Sequence, residues 1–147
     1  MKISAKGRYG LQAMLDLTLE STELVTLSSI AQRQNISPNY LEQIFSALRK
    51  AGLVKSVKGA QGGYTLAHTA DRITAGQILR VLEGDLCQIG ETVQAMYSDA
   101  STQLFLQQEV FEKLQVCVNE LLDGLSLESL ASEFSKQQQN LNLMYFI

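Results

Sequence analysis

A chain of 147 residues, 46% of them hydrophobic and 18% charged, can fill one sizeable core and leaves little room for a second. No run approaches the roughly 18 apolar residues of a membrane span, and charges near the N-terminus stand where a secretory leader needs its apolar stretch, so a cytoplasmic protein is expected. The formal net charge of −3 would speak against a polyanionic partner if it were uniform, but residues 1–66 hold 8 Lys/Arg against 4 Asp/Glu and residues 67–147 hold 4 against 11. That split places an attractive field for nucleic acid on the first half only.

Residues 2–22 begin with Lys2, Lys6 and Arg8 and continue through Tyr9, Leu11, Met14, Leu15, Leu17 and Leu19 as a helix with an apolar face. Its basic start is placed to touch a phosphate backbone. From Thr26 a short helix follows, with Ile30 and Ala31 on its inner face, and the turn Asn35-Ile36-Ser37 ends it. Ser37-Pro38 then opens another helix. A serine N-cap satisfies orphan amides with its side chain, and proline at the first helical position gives up only an amide that had no partner. Leu41, Ile44, Phe45 and Leu48 recur at helical spacing and face inward, leaving Ser37, Asn39, Tyr40, Glu42 and Gln43 outward near the N-terminus. Those side chains can read base edges from a helix lying in a major groove. Arg49 and Lys50 suit the negative end of this helix, and Gly52 suits a left-handed cap.

Leu53 to Val57 and Tyr64 to Leu66 read as two short strands. Between them, Lys58-Gly59-Ala60-Gln61-Gly62-Gly63 is a loop whose glycines permit close backbone approach, with a cation at its base. Helix, turn, helix and basic hairpin describe a winged helix-turn-helix: mainly α with a small β-hairpin wing. The candidate DNA contacts are Lys6, Arg8, Ser28, Ser37, Asn39, Tyr40, Glu42, Gln43, Lys58, Gly59, Gln61, Gly62 and Tyr64.

Thr74-Ala75-Gly76-Gln77 has the form of a capping box and predicts a helix from Ala75 to about Glu83, ended by Gly84. Residues 85–100 show no sustained period. From about Thr102, Leu104, Phe111, Leu114, Val118, Leu121 and Leu125 step by sevens divided as four and three, widened by Phe105, Val110, Cys117 and Leu122. So much apolar surface needs more cover than the winged domain offers, and the same helix of a second copy about a two-fold axis would supply it; the alternative is a fold back onto its own subunit. Leu104, Phe111, Leu114, Val118 and Leu121 are the candidate dimerisation residues. Ser126 caps a last short helix to about Phe134, Lys136 to Asn140 reads as loose polar chain, and Leu141 to Ile147 is apolar.

The runs M-K-I-S-A-K-G-R-Y-G-L-Q-A-M, I-S-P-N-Y-L-E-Q-I-F-S-A-L-R-K-A-G-L-V and V-K-G-A-Q-G-G-Y-T-L resemble those of the Rrf-two family of bacterial winged-helix regulators. The resemblance covers nearly the whole chain. It implies a dimeric transcription factor, usually a repressor, acting on a pseudo-palindromic operator of double-stranded DNA. The chain then divides into a winged helix-turn-helix DNA-binding domain (1–84), a variable loop (85–101), a dimerisation helix (102–125) and a C-terminal helix with an apolar tail (126–147).

Several members of that family carry an iron-sulfur cluster held by three closely spaced cysteines and a further ligand after the fourth helix. Here Cys87 stands at the first of those places, and nothing from Gln88 to Val116 is a cysteine or histidine. A cluster wants about four ligands, mostly thiolates, so no cofactor is expected, with Cys87 left as a weak cluster or redox candidate. Cys117 reads as packing, and with no secretory signature both thiols are expected reduced. Enzymatic readings find no histidine beside a nucleophile, no phosphate loop ahead of a helix and no carboxylate cluster at metal spacing, so no enzyme is expected. Among family members without a cluster, the resemblance points to those that control cysteine metabolism with cysteine synthase as partner. Tyr145, Phe146 and Ile147 on a polar tether would suit an anion-binding pocket of that enzyme, or else pack on their own dimer. A thiol-based sensor of the same fold, or a protein acting on an enzyme through its tail, are the competing readings.

Overall fold

In the computed structural model, residues 1–87 and 101–145 are described. Three helices enclose the first core: α1 (Ala5–Leu19), α2 (Leu27–Gln34) and α3 (Pro38–Lys50). Asn35 takes the left-handed conformation at φ 53°, which a short polar side chain tolerates, and so reverses the chain between α2 and α3. Met14, Ile30, Leu41, Ile44, Phe45 and Leu48 are all 0% exposed, as their helical spacing predicts. Thr26, whose hydroxyl accepts from the Ser29 amide, starts α2. Ser37 occupies the N-cap of α3, but its hydroxyl accepts no capping bond. The expected side-chain cap is therefore absent; proline at the first helical position and burial of the inner face set this helix instead.

Asp16 is a feature the periodicity did not single out. It is 4% exposed in α1, and Arg33 of α2 reaches it at 2.7 Å while Gln34 Nε2 donates at 2.7 Å. A carboxylate so buried is tolerable because it is paired and hydrogen-bonded, and the pairing fixes α2 against α1. One of the cations of the first half is thus engaged internally.

Gly52, at φ 78°, turns the chain from α3 into β1 (Val54–Val57), which pairs antiparallel with β2 (Gly63–Leu66) in the register Val54↔Leu66 to Val57↔Gly63. Val25, just before α2, adds a bridge to Tyr64, donating and accepting at 3.0 and 2.7 Å. Gly63 allows this approach, since a Cβ there would lie 2.7 Å from the Val25 carbonyl oxygen. A short 3-10 turn (Ala70–Arg72) leads to α4 (Ala75–Glu83), whose capping box between Thr74 and Gln77 forms as predicted.

The second half is helical: α5 (Thr102–Leu106), a π-helical segment (Gln107–Phe111), α6 (Glu112–Asp123) and α7 (Leu127–Tyr145). The start of α7 is stitched to the start of α4 by Ala75 N–H to Leu125 O and Leu127 N–H to Ile73 O, both 2.8 Å. Leu127 is 0% exposed in the winged core, a burial that contributes about 1.5–3 kcal/mol. Ser126 lies at the start of α7, and its hydroxyl accepts from the Ser129 amide, as its position suggested. The helix does not stop near Phe134, however. Lys136 to Asn140, expected to be loose chain, are helical, as are the residues up to Tyr145. Glutamine and lysine are good helix formers, and nothing between Phe134 and Tyr145 is a glycine or proline to break the run. The expectations placed on residues 88–100 and on Phe146 and Ile147 fall outside the described residues.

Candidate nucleic-acid interface

On the outward side of α3, Ser37, Asn39, Glu42 and Gln43 are exposed at its first two turns. Tyr40 differs from them: it is half-buried against the core, with its ring edge-on to Tyr9 of α1 at 5.9 Å and 89°. This pair fixes the side of α3 that faces the start of α1, leaving the four neighbouring polar side chains free. Ser28 is exposed at the first turn of α2. At the start of α1, Arg8 is exposed and Lys6 half-exposed.

The wing presents Lys58, Gly59 and Gln61 to solvent. Gly62 lies beneath the loop, its amide donating to Gly59 O at 3.0 Å, and a Cβ there would meet the Val57 carbonyl oxygen at 2.1 Å. Tyr64 is not at the tip. Its ring sits 5.0 Å from Phe45, edge-on at 70°, so it joins the wing root to α3. Between wing and helices lies an open cleft of about 330 Å³, lined by Thr26, Arg49, Ser56 and Lys58 among others. Arg49 donates to Ser56 Oγ at 3.3 Å and so stands beside Lys58. In sequence Arg49 read only as a helix-end cation; the strand that brings Ser56 to it is a tertiary fact.

An ion-dipole contact and an ion pair hold α4 between the parts. Glu83 Oε1 accepts from the Ser4 amide at 3.0 Å, the Ser4 hydroxyl and the Gly7 amide at 2.9 Å, closing the N-terminus of α1. The Ser4 hydroxyl above all, then the two amides and the charge of Lys6, hold this carboxyl below its ordinary range against the opposing effect of burial. One turn earlier Arg80 binds both oxygens of Asp123, at 2.7 and 3.0 Å, and Asn119 Oδ1 at 2.9 Å. That hydrogen-bonded pair lowers the Asp123 carboxyl and raises the guanidinium.

The apolar stripe of the long helix splits. Val118 and Leu122 are half-buried against Leu79, Leu86 and Cys87 of their own chain, together with Ile3 and Leu11. Leu114 and Leu121 remain 49% and 62% exposed, Phe105 63% and Phe111 37%. Leu104 is half-buried. Val118 thus faces inward rather than lying with the other candidate dimerisation residues, because Arg80 and the Leu79 cluster draw that side of α6 onto α4. The π segment also adds a residue to its turn and so rotates α5 about the helix axis relative to α6. Cys117, expected to pack, is exposed, whereas Cys87 is buried; both are free thiols.

A three-helix core that presents a polar helix face and a cationic hairpin on adjoining surfaces is a winged helix-turn-helix of the DNA-binding kind. The chain belongs to the Rrf2 family, whose model, described as an iron-dependent transcriptional regulator, matches residues 3–133. It is 45% identical to the HTH-type transcriptional regulator CymR of Bacillus subtilis over 140 residues, covering 95% of this chain and 96% of that one. To IscR of Cereibacter sphaeroides it is 41% identical, over 86% of this chain and 77% of the other. A solved structure of CymR, described as the global cysteine regulator of B. subtilis, superposes with a TM-score of 0.76 at 43% identity, covering 90% and 98% of the two chains. The protein is thus an Rrf2-type transcriptional regulator. No helix among the described residues is long and apolar enough to cross a membrane.

The described residues do not fit the iron centre that the family description implies. Cys87 is 5% exposed in an apolar cluster, and no group of three or more potential ligands converges among the described residues. His68, the chain's single histidine, follows β2 instead. A cluster would need about four donors, mostly thiolates.

Proposed function

We propose that this regulator acts as a homodimeric repressor on a pseudo-palindromic operator, with α3 in the major groove and the wing along the backbone or minor groove. The observation that carries the reading is the joint exposure of Ser37, Asn39, Glu42 and Gln43 on α3 beside Lys58 and Gln61 on a wing anchored through Tyr64 and Phe45. Small polar side chains can discriminate base edges, while Lys58 attracts phosphate whatever the sequence. Exposed Phe105, Leu114 and Leu121 give the second copy an apolar surface, and a two-fold axis matches two heads to two half-sites.

Lys58→Ala should weaken binding to specific and random duplexes alike, flattening the salt dependence by about one unit of slope per head, or about two for the dimer. Glu42→Ala should chiefly relax selectivity: a carboxylate accepts from the cytosine amino group and repels acceptor-only edges, a discrimination of about 1–3 kcal/mol. Fluorescence anisotropy with operator and scrambled duplexes at two salt concentrations separates these effects. The same loss of selectivity in both variants would contradict the division of roles.

Its regulon, on this reading, is cysteine and sulfur metabolism, supported by the similarity to a protein described as the global cysteine regulator. Cysteine synthase is the partner we propose for Tyr145, Phe146 and Ile147 at the C-terminal end, where Tyr145 is 86% exposed and the preceding Leu143 and Met144 are 62% and 74% exposed. A pull-down tests it: removing residues 143–147 should abolish capture of the synthase, and capture that survives the deletion rejects this partner.

A further inference from the structure

Acidic residues at the last position of a helix are disfavoured by the helix's own dipole, whose C-terminal end is negative. Glu83 is such a residue, and its three partners all belong to another element, the first turn of α1, 76 and 79 positions away in sequence. Gly7 is shaped for the contact: a Cβ there would lie 2.3 Å from Glu83 Oε1. The turn being held is the one that carries Lys6 and borders Arg8, while Arg80 on the same helix is fastened to Asp123 and Asn119. The carboxylate therefore rests on a fixed base and grips the first turn of another helix, the part of a helix that frays most readily.

We propose that Glu83 is a positioning residue for DNA binding: it fixes the first turn of α1 so that Lys6 and Arg8 meet the phosphate backbone together with α3 and the wing. This rests on the reading of the interface given above. Glu83 touches no nucleic acid in this role and contributes no attraction; as an anion beside Lys6 it would by charge alone oppose binding. That opposition makes the inference testable, because position and charge predict opposite signs.

Glu83→Ala removes both the acceptor and the charge, whereas Glu83→Gln keeps an oxygen that can accept from Ser4 and Gly7 while removing the charge. Binding of a duplex bearing the operator is measured for the full-length protein from about 0.05 to 0.3 M salt, a range over which phosphate contacts dominate the change in affinity. With Glu83→Ala, affinity is expected to fall on the order of tenfold and the slope of log K against log salt to become shallower by about two to four, as two phosphate contacts are lost from each of the two heads. Glu83→Gln should restore most of both. Thermal unfolding of each variant reports any general loss of fold, which by itself would lower the active fraction without changing the slope. An affinity that is unchanged or tighter in Glu83→Ala, an equal loss in both variants, or an unaltered slope overturns the inference. Lys58→Ala in the same series guards the reading beneath it: if that variant and the wild type are equally indifferent to every duplex, the DNA interface itself is wrong, whereas a Lys58 effect without a Glu83 effect removes only the positioning role.

Discussion

Replacing Leu114 and Leu121 together by aspartate should leave a folded monomer that has lost tight operator binding. Both side chains stand away from their own subunit, about half or more exposed, whereas Val118 and Leu122 on the adjoining side of α6 pack against Leu79, Leu86 and Cys87. Two carboxylates introduced on the outer side therefore meet only water in a single chain. In an apolar interface they would be desolvated without partners, a cost of several kcal/mol each. In the dimer proposed above, loss of the second head would convert a two-site grip into a one-site one, weakening binding about 10²–10⁴-fold when the two heads act at high effective concentration. Analytical ultracentrifugation gives the assembly state and anisotropy the affinity. A variant that sediments as the wild type does and binds as tightly would show that these leucines are not where two copies meet.

Phe45→Ala should be the most damaging single truncation for the fold. Phe45 is fully buried at the centre of α3, with Tyr64 of β2 edge-on to it at 5.0 Å. Large-to-small changes at such sites cost about 3–5 kcal/mol through lost burial and the cavity left behind. Against a total stability of about 5–15 kcal/mol that is a large share, and the melting temperature should fall on the order of 10 °C. Because Tyr64 also pairs its backbone with Val25, the loss should loosen the wing root along with the helix. Hydrogen exchange should show this as faster opening at Tyr64 and Val25 than at the α7 amides. Chemical denaturation with a loss below about 1 kcal/mol would mean that α3 and the wing do not share one core, contrary to the packing described.

Local elements could be read from the residues wherever periodicity and capping chemistry agreed. Leu41, Ile44, Phe45 and Leu48 announced the inner side of α3, Thr74 and Gln77 announced the start of α4, and the glycines between Val57 and Tyr64 announced a wing. From these, the polar outer side of α3 and the cation of the wing could be named before any fold was seen. Contacts between elements distant in sequence became legible once the chain was seen folded. Glu83 at the first turn of α1, Asp16 beneath Arg33, Arg80 on Asp123 and Val25 against Gly63 join residues that no period relates. The same limit explains the long helix, where one apolar stripe in sequence became two in space. Periodicity counts apolar positions around a helix; which of them turn inward depends on the neighbour packed there, and at Val118 that neighbour is α4 of its own chain.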